Sequence, residues 1–424
     1  MSHADLHVTD CPLDRVQVPD ASTRTKGPLI AIDLGATSCR VAGMHKGAPT
    51  CIPSQRLSGT PSYVALGSGG RILTGTSAQQ QMSSVPALAV WGIKGLLGAP
   101  YLDPKMRWLY EQLRCPLSAG EDGRPMAQLG DRHFTARELA ALLMYEARER
   151  AQNFLQQPVF RTVLTLPPTR DNSVRELMTA AAHRAGLHVE RILTEPTVVA
   201  LAAFFKRQGK PERTLMVCDW GGGSFQASLV RVSMRECQVV ASDSDVALCG
   251  AELDKRLTRV LLQALPPGVK LAADVKNPAA FFRVLSAVEF AKTQVSQAPQ
   301  ARVHVPFATT QPDGQPGAFE ALLTRQLVDE QAAPLIDGAI ALCGKVLDEQ
   351  FLLPGELDEV LLVGEQSRMP LFQERIRHYF VQVPVYAEDP GQSVVLGAMQ
   401  LGSRLESAAT QARPAQPAAG TARR

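Results

Sequence analysis

Short apolar runs alternate with amphipathic stretches along most of the chain. Residues 28–32 and 159–166 are apolar and flanked by glycine or proline, which predicts buried strands. Residues 134–156 repeat leucine, alanine and phenylalanine at helical spacing, and Thr135 with Glu138 gives the capping-box pattern of a helix start. The alternation of strand and helix predicts an α/β fold.

Two predicted hairpins enclose turns of similar sequence. Residues 28–32 pair with 39–44 around IDLGATS, and residues 214–218 pair with 227–232 around CDWGGGS. Both turns follow the pattern apolar-Asp-x-Gly-x-x-polar at a strand end. A repeat at such long range indicates a domain duplication rather than a solenoid, so two similar halves are expected to face one another.

The other periodic segments extend this alternation. They are helices at 174–185, at 281–297 and from about Met369, and a buried strand at 357–363. The two ends show no such pattern. Residues 1–27 lack periodicity, and residues 406–424 are rich in Ala, Pro, Thr and Arg, a composition that cannot build a core.

Composition narrows the possible functions. The 424 residues allow two or three domains, and 45% hydrophobic with 20% charged residues is typical of a globular protein. A net charge of +3 is too small to argue for nucleic acid or a membrane surface, and no apolar run is long enough to span a bilayer. The start is not a signal peptide, and eight scattered cysteines without a CxxC pair indicate neither zinc nor disulfides, so a reducing cytoplasmic location is expected.

The glycine turns are suited to phosphate. Successive unshielded backbone N–H groups form an anion-binding nest. The aspartate in each turn repels phosphate unless magnesium and its waters lie between them, and magnesium commonly uses one or two carboxylates. Either turn alone is more readily an ordinary tight turn, whereas the pair favours a polyphosphate held from both sides.

Two further segments carry candidate chemistry. ILTEPT places Glu195 at a strand end, where a carboxylate beside phosphate can orient water; the alternative is that it only favours the helix N-terminus. DEVLLVGEQSRMP (358–370) is a strand, a glycine, a polar turn and a helix, which suits a nucleoside but is also a common connection.

In this order, the four segments resemble the ATPase domain of the seventy-kilodalton heat-shock chaperones (the DnaK-like family). The resemblance covers about 29–402 and is supported by GIKGLLGAPYLDP and FAKTQVS, among other stretches. It implies an α/β, two-lobed actin-like (ribonuclease H-like, duplicated) ATPase fold with an inter-lobe nucleotide cleft. We expect a disordered N-terminus at 1–27, lobe I at 28–212 with a small subdomain at about 60–133, lobe II at 213–402 with one at about 252–319, and a disordered tail at 403–424. The polar tail departs from the family, and no substrate-binding domain is expected in this chain.

The resemblance also implies residue roles for ATP or ADP with Mg²⁺. Asp33, Asp219 and Glu195 match catalytic positions, and the two aspartates hold magnesium through water. Pro167 and Arg175 match residues that relay nucleotide state to the surface. The nucleotide-binding positions are Gly35, Thr37, Ser38, Gly221, Gly222, Gly223, Ser224, Gly250, Glu289, Lys292, Ser296, Gly364 and Arg368.

Several positions depart from the family pattern. The family lysine that reaches the transferred phosphate falls at Gln79, and losing a fixed charge weakens transition-state stabilisation. The other departures are Ala36 for threonine, Gln226 for aspartate, Cys249 for glycine, Thr293 for arginine, Glu365 for glycine and Gly391 for aspartate. Together they predict reduced hydrolysis, while Asp33, Asp219 and Glu195 keep it possible.

The leading hypothesis is a heat-shock-chaperone-like ATP/ADP-binding protein. It has weak Mg-dependent ATPase activity and acts in protein folding or as a nucleotide-controlled switch for an unidentified protein partner, co-chaperone-like or client. The alternative is a pseudo-ATPase interaction or scaffold module; a sugar kinase is disfavoured, and a filament-forming role is possible for the fold. Trp220 is interpreted as a core or cleft-wall aromatic, and Lys94 as a solvated or inter-lobe charge.

Overall fold

A computed structural model describes residues 11–16, 27–54, 59–169, 171–207, 209–272, 279–381 and 383–411. Its strands, in chain order, are β1 (Leu29–Leu34), β2 (Ser38–His45), β3 (Ala48–Cys51), β4 (Thr60–Pro61), β5 (Val64–Leu66), β6 (Ile72–Thr74), β7 (Ala89–Val90), β8 (Leu117–Ala119), β9 (Pro125–Leu129), β10 (Arg132–Thr135), β11 (Arg161–Leu166), β12 (His188–Thr194), β13 (Glu212–Trp220), β14 (Phe225–Ser233), β15 (Cys237–Asp245), β16 (Lys270–Leu271), β17 (Gln300–Thr310), β18 (Pro316–Thr324), β19 (Glu359–Val363) and β20 (Val385–Tyr386). Its α-helices are α1 (Gly75–Ser84), α2 (Ile93–Gly98), α3 (Arg107–Gln112), α4 (Ala136–Leu155), α5 (Asn172–Arg184), α6 (Glu195–Lys206), α7 (Gly250–Gln263), α8 (Ala279–Val295), α9 (Arg325–Asp348), α10 (Pro370–Tyr379) and α11 (Ser393–Gln411).

Two large mixed sheets have the same topology. The first sheet runs β12-β11-β1-β2-β3, with β4 added beside β2, and the second runs β20-β19-β13-β14-β15. In each, three consecutive antiparallel strands form a meander, and two later strands join in parallel beside the first strand of the meander. This equivalence confirms the duplication predicted from the two hairpins.

The repeat is visible at single residues. Asp33 pairs with Arg40 across the first hairpin, and Asp219 pairs with Gln226 across the second. Directly opposed residues of an antiparallel pair share a face of the sheet, so Arg40 and Gln226 occupy equivalent places beside their aspartates.

Helices α6 and α11 pack between the sheets. One apolar cluster joins Leu29 and Val163 of the first sheet, Val217 of the second, Val198 of α6 and Met399 of α11. Two other clusters form the separate cores of the two halves. The shared cluster therefore fixes the sheets on one side and leaves a cleft on the other.

Most predicted elements are present with small shifts at their ends. The structure contains the capping box at α4: the amide of Glu138 donates to Thr135 Oγ1 at 3.2 Å, and the amide of Thr135 donates to Glu138 Oε2 at 2.9 Å. The Gly-rich hairpins and the strand–helix junction at Glu195 are also present. These elements could be predicted from local patterns because the residues that specify each one lie within its own segment of the sequence.

The ends of the chain differ from expectation where they are described. Residues 12–15 form a short 3-10 helix, and Leu13 is buried in the core of the first half. Helix α11 runs to Gln411, beyond the expected tail start at 403, because Arg404 stacks 4.2 Å from the Phe205 ring and Glu406 pairs with Arg161. Residues 1–10, 17–26 and 412–424 lie outside the described residues.

Candidate functional site

The two glycine turns close in the same way. The amide of Gly35 donates to the Ser38 carbonyl at 3.0 Å, and the amide of Gly221 donates to the Ser224 carbonyl at 3.0 Å. Ser62 holds the first turn, since its hydroxyl donates to the Gly35 carbonyl at 2.8 Å. These bonds fix the backbone of both turns.

The second turn is anchored by the start of α7. The amide of Gly250 donates to the Gly221 carbonyl at 3.1 Å, and the amide of Ala251 donates to the Gly222 carbonyl at 3.0 Å. Cys249 precedes this helix and caps it, because its Sγ accepts from the Glu252 amide at 3.4 Å. The departure at Cys249 is thus compatible with an intact turn.

The turns approach so closely that they require glycine. A Cβ on Gly222 would lie 2.2 Å from Thr37 Oγ1, and one on Gly223 would lie 2.4 Å from the Ala36 Cβ. A Cβ on Gly221 meets only ordinary contacts, at 3.6 Å or more. Two of the three glycines therefore serve the approach of the opposite turn, and the small Ala36 fits the same space.

The three candidate catalytic carboxylates come from three strand ends. Asp33 lies near the end of β1, Asp219 near the end of β13, and Glu195 directly after β12. Thr165 donates to Asp33 Oδ1 at 2.9 Å, which fixes that carboxylate. All three line one cleft between the sheets, so the structure brings together what the sequence predicted only as separate segments.

Lys94 lies among these carboxylates. Its Nζ contacts Glu195 Oε1 directly, although it was interpreted from sequence as a solvated or inter-lobe charge. Burial alone would lower the pKa of Lys94, but Glu195, Asp33 and Asp219 outweigh it, and the pKa is raised. Lys94 and Glu195 are 101 positions apart along the chain, which explains why no local pattern predicted the pair.

Burial perturbs two of the carboxyl groups. It raises the pKa of Glu195 to about 7, with Lys94 opposing the shift and Asp33 and Asp219 adding to it. Burial likewise raises the pKa of Asp219 to about 6, with Lys94 and Arg40 opposing and Asp33 adding. Such perturbed acids in a cleft are typical of functional sites, and a carboxyl group near pH 7 is suited to proton transfer.

Helix α8 forms another wall of the cleft. Lys292 is buried and pairs with Asp254 at 2.7 Å, so its charge is already neutralised. The Gln79 amide donates to Glu289 Oε2 at 3.4 Å, which ties α1 to this wall. The Ser296 hydroxyl, one residue past the end of α8, instead donates to the Lys292 carbonyl of that helix at 3.5 Å.

A chain of four charged side chains crosses the cleft beside the first turn, and we call it the Arg40–Glu365 network. Arg40 donates to Glu365 Oε1 at 2.8 Å and to the Ser38 hydroxyl at 3.0 Å. Arg368 bridges the other Glu365 oxygen and Asp389, both at 2.9 Å. This network joins the first hairpin to the turn after β19.

The departures at positions 365 and 391 belong together. A Cβ on Gly391 would lie 1.9 Å from Glu365 Oε1, so Glu365 occupies the space that any larger residue at 391 would need.

The departure at Gln226 is also accommodated, since its amide donates to the Ser228 hydroxyl at 3.0 Å.

The cleft has a volume of about 1260 Å³ and is lined by most of the predicted residues. Those at its lining are Asp33, Gly35, Thr37, Ser38, Pro167, Glu195, Asp219, Gly221, Gly222, Gly223, Ser224, Gly250, Glu289, Lys292 and Gly364. Ser296, Arg175 and Arg368 are not in this lining; Arg175 donates to the Ile192 carbonyl at 3.5 Å. Trp220 is fully buried against Phe372, which confirms it as a core aromatic.

The donor set suits magnesium held mainly by water. In the part of the chain that the structure describes, no three His, Cys, Asp or Glu side chains form a metal-binding group. Two carboxylates on opposite turns fit an ion that keeps most of its waters. Within the same residues, no helix is long and apolar enough to cross a membrane.

The protein has two duplicated α/β halves with mixed sheets, and a cleft lies between their matched Asp–Gly turns. This arrangement defines the class of actin-like ATPase folds. A family profile described as Hsp70 protein matches residues 29–412. This chain belongs to the Hsp70 family. Membership of this family implies nucleotide binding.

One curated relative is the chaperone protein DnaK of Stenotrophomonas maltophilia (strain R551-3). It is 30% identical to this chain over 387 residues, which are 89% of this chain and 60% of the relative. The chain therefore spans about 60% of the length of that relative.

Proposed function

We propose that this protein binds Mg-ATP and ADP in the cleft between the two glycine turns and hydrolyses ATP slowly. The observation that carries the proposal is the convergence of Asp33, Asp219 and Glu195 on one cleft with both turns. The backbone amides of the turns bind phosphate oxygens, as nests of N–H groups do.

Each carboxylate has a separate task. Asp33 and Asp219 would hold the waters of a bound magnesium ion, which would supply positive charge to the phosphates. Glu195 orients the attacking water and accepts one of its protons. The water oxygen bonds to the terminal phosphorus, the bond from phosphorus to the bridging oxygen breaks, and its electron pair leaves with ADP.

Slow turnover follows from the departures. Gln79 provides no cation, and Glu365, which is paired with Arg40 and Arg368, adds a carboxylate to the lining of the cleft. Loss of a fixed cation weakens stabilisation of the charge that develops in the transition state, which lowers the rate of hydrolysis more than the affinity for nucleotide.

Titration of nucleotide into the wild type and Asp219→Ala, with hydrolysis measured on the same samples, tests the proposal. We expect Asp219→Ala to weaken Mg-ATP binding by roughly tenfold or more, since it removes a charged partner of the hydrated ion. Unchanged affinity would count against this cleft, and absence of binding by the wild type, with and without magnesium, would overturn the proposed function.

A pseudo-ATPase is the second candidate, favoured by the Arg40–Glu365 network. This network joins the two sides of the cleft through protein charges, so closure does not depend on nucleotide alone. Tight ATP binding without phosphate release in a single turnover would select this candidate. In either case we propose that the position of the two halves is detected by a protein partner, and that the protein acts in the cytoplasm, as the free thiols suggest.

A further inference from the structure

Arg40 is a buried cation beside the first glycine turn. Its neighbours on β2, Cys39 and Val41, are packed in the core of the first half, so the alternation of side chains along a strand directs Arg40 to the other face of the sheet. There it lines the cleft, directly across the hairpin from Asp33. Its charge also reaches the second turn: burial raises the pKa of Asp219, and the Arg40 guanidinium is one of the groups that oppose this shift.

One donor of Arg40 is left without a partner. A guanidinium carries five N–H donors. In the part of the chain that the structure describes, Nη1 donates to the Ser38 hydroxyl at 3.0 Å and Nη2 donates to Glu365 Oε1 at 2.8 Å, while the buried Nε has no hydrogen-bond partner. An unsatisfied buried donor on a charged group is costly. An anion with several oxygens would satisfy this donor, which the single carboxylate oxygen of Glu365 does not.

Glu365 can leave Arg40 and still be paired. Its Oε1 accepts from Arg40, whereas its Oε2 accepts from Arg368 Nε at 2.9 Å. The Glu365 side chain is 30% exposed, against 9% for Arg40, so the carboxylate has room to move and the guanidinium does not. Breaking the contact with Arg40 therefore leaves Glu365 beside Arg368 and open to water.

A phosphate group is a ligand of the same kind as the Glu365 carboxylate. Both present negatively charged oxygens that match the fork of N–H donors on a guanidinium. Ser38 accepts from Arg40 through its hydroxyl and closes the first glycine turn through its carbonyl. A phosphate bound by the amides of this turn therefore comes next to a guanidinium that a carboxylate already occupies, and the two anions compete for one cation.

We propose that Arg40 binds a phosphate group of the nucleotide and that Glu365 is a built-in competitor, which the nucleotide displaces from Arg40. The inference rests on the proposed function, because it needs nucleotide in this cleft. Without nucleotide, the contact between Arg40 and Glu365 joins the first half to the second. With nucleotide, the guanidinium binds the ligand instead, and Glu365 stays with Arg368.

Calorimetric titration of ADP, ATP and adenosine tests the inference, because substitutions at its two residues should have opposite effects. We expect Arg40→Met to weaken binding of ADP and ATP roughly 10- to 100-fold, as for loss of a hydrogen bond between charged groups. We expect Glu365→Gln to strengthen both roughly 3- to 10-fold, since a larger fraction of the protein then has an available guanidinium. Adenosine has no phosphate and should bind both variants as it binds the wild type.

The matched control is Asp389→Asn. It removes one negative charge from the Arg40–Glu365 network without touching Arg40, because Asp389 pairs with Arg368 at 2.9 Å. This substitution at an exposed ion pair should leave the affinities for ADP and ATP within about twofold of those of the wild type.

The double variant, Arg40→Met with Glu365→Gln, separates competition from a general change of charge. Competition predicts that Glu365→Gln gains nothing once Arg40 is absent, so the effects of the two substitutions are not additive. If Arg40→Met alone fails to fold because Glu365 loses a partner, the double variant is compared with the wild type, and it should bind ADP more weakly.

The inference and the proposed function fail in different ways. If the wild type binds ADP but Glu365→Gln does not bind it more tightly, or Arg40→Met binds it equally well, the inference is overturned and the proposed function stands. A gain from Glu365→Gln that persists in the double variant, or an equal change for adenosine, also overturns the inference. If the wild type binds neither nucleotide, the proposed function itself fails, and this inference falls with it.

Discussion

At the scale of single residues, departures from a family pattern can be coupled rather than independent. Glu365 pairs with Arg40 and Arg368, and its Oε1 fills the space beside Gly391. Two changes that look like separate losses therefore form one packed and charge-paired unit. Counting them as two independent defects would overstate the damage to the cleft.

The coupling can be measured with Gly391→Asp. Its side chain would collide with Glu365 Oε1 and add a carboxylate beside Glu365, so we expect a loss of about 1–3 kcal/mol in the free energy of unfolding. Glu365→Gly in the same chain removes the obstacle. Denaturant unfolding of the two single variants and the double variant gives the coupling, which we expect to exceed about 0.5 kcal/mol in favour of the double variant.

Gly355→Asp is the matched control, because a Cβ at Gly355 meets nothing within 4 Å. It should change stability little. Simple additivity of Gly391→Asp and Glu365→Gly would show that the two positions are not coupled.

At the scale of elements, the sequence predicted what is encoded locally. The hairpins around Asp33 and Asp219 and helix α4 could be assigned because each carries its own periodicity and its own turn or cap residues. The pairs Lys94–Glu195 and Arg40–Glu365 could not be predicted. Each partner is a charged residue of a kind common on protein surfaces, and only the fold brings the two together. The extension of α11 past residue 402 was missed for the same reason.

The capping box of α4 is the local signal that is simplest to test. Thr135 accepts from the Glu138 amide, and losing this cap should lower the free energy of unfolding by about 1 kcal/mol. Thermal or denaturant unfolding of Thr135→Ala measures the effect. Thr135→Ser keeps the hydroxyl and should remain within about 0.5 kcal/mol of the wild type; an equal loss in both variants would assign the effect to packing of the methyl group.

At the scale of the whole molecule, the duplication concentrates acids at one place. Equivalent hairpins that face each other put Asp33 and Asp219 in the same cleft, and β12 adds Glu195. Folding therefore buries carboxylates close to one another, and Lys94 only partly offsets their repulsion. An arrangement of this kind lowers the free energy of unfolding, and it provides negative charge that can bind a cation.

The cost should appear as a dependence of stability on pH. The pKa of Glu195 rises to about 7 in the folded protein, so between its unfolded value and about 7 the folded state binds more protons than the unfolded state. The stabilising contribution of this group is complete below its unfolded pKa and is lost as pH rises through about 7. Asp219, whose pKa rises to about 6, contributes in the same direction.

Glu195→Gln isolates the effect of that group. Thermal unfolding without nucleotide or magnesium, from about pH 5 to about pH 8, should show the wild type losing stability relative to the variant as pH rises. The remaining slope in Glu195→Gln reports Asp219 and the other titrating groups. A constant difference in stability between wild type and variant across this range would mean that the pKa of Glu195 is close to its ordinary value. Burial in the cleft would then not destabilise the ionised carboxylate of Glu195.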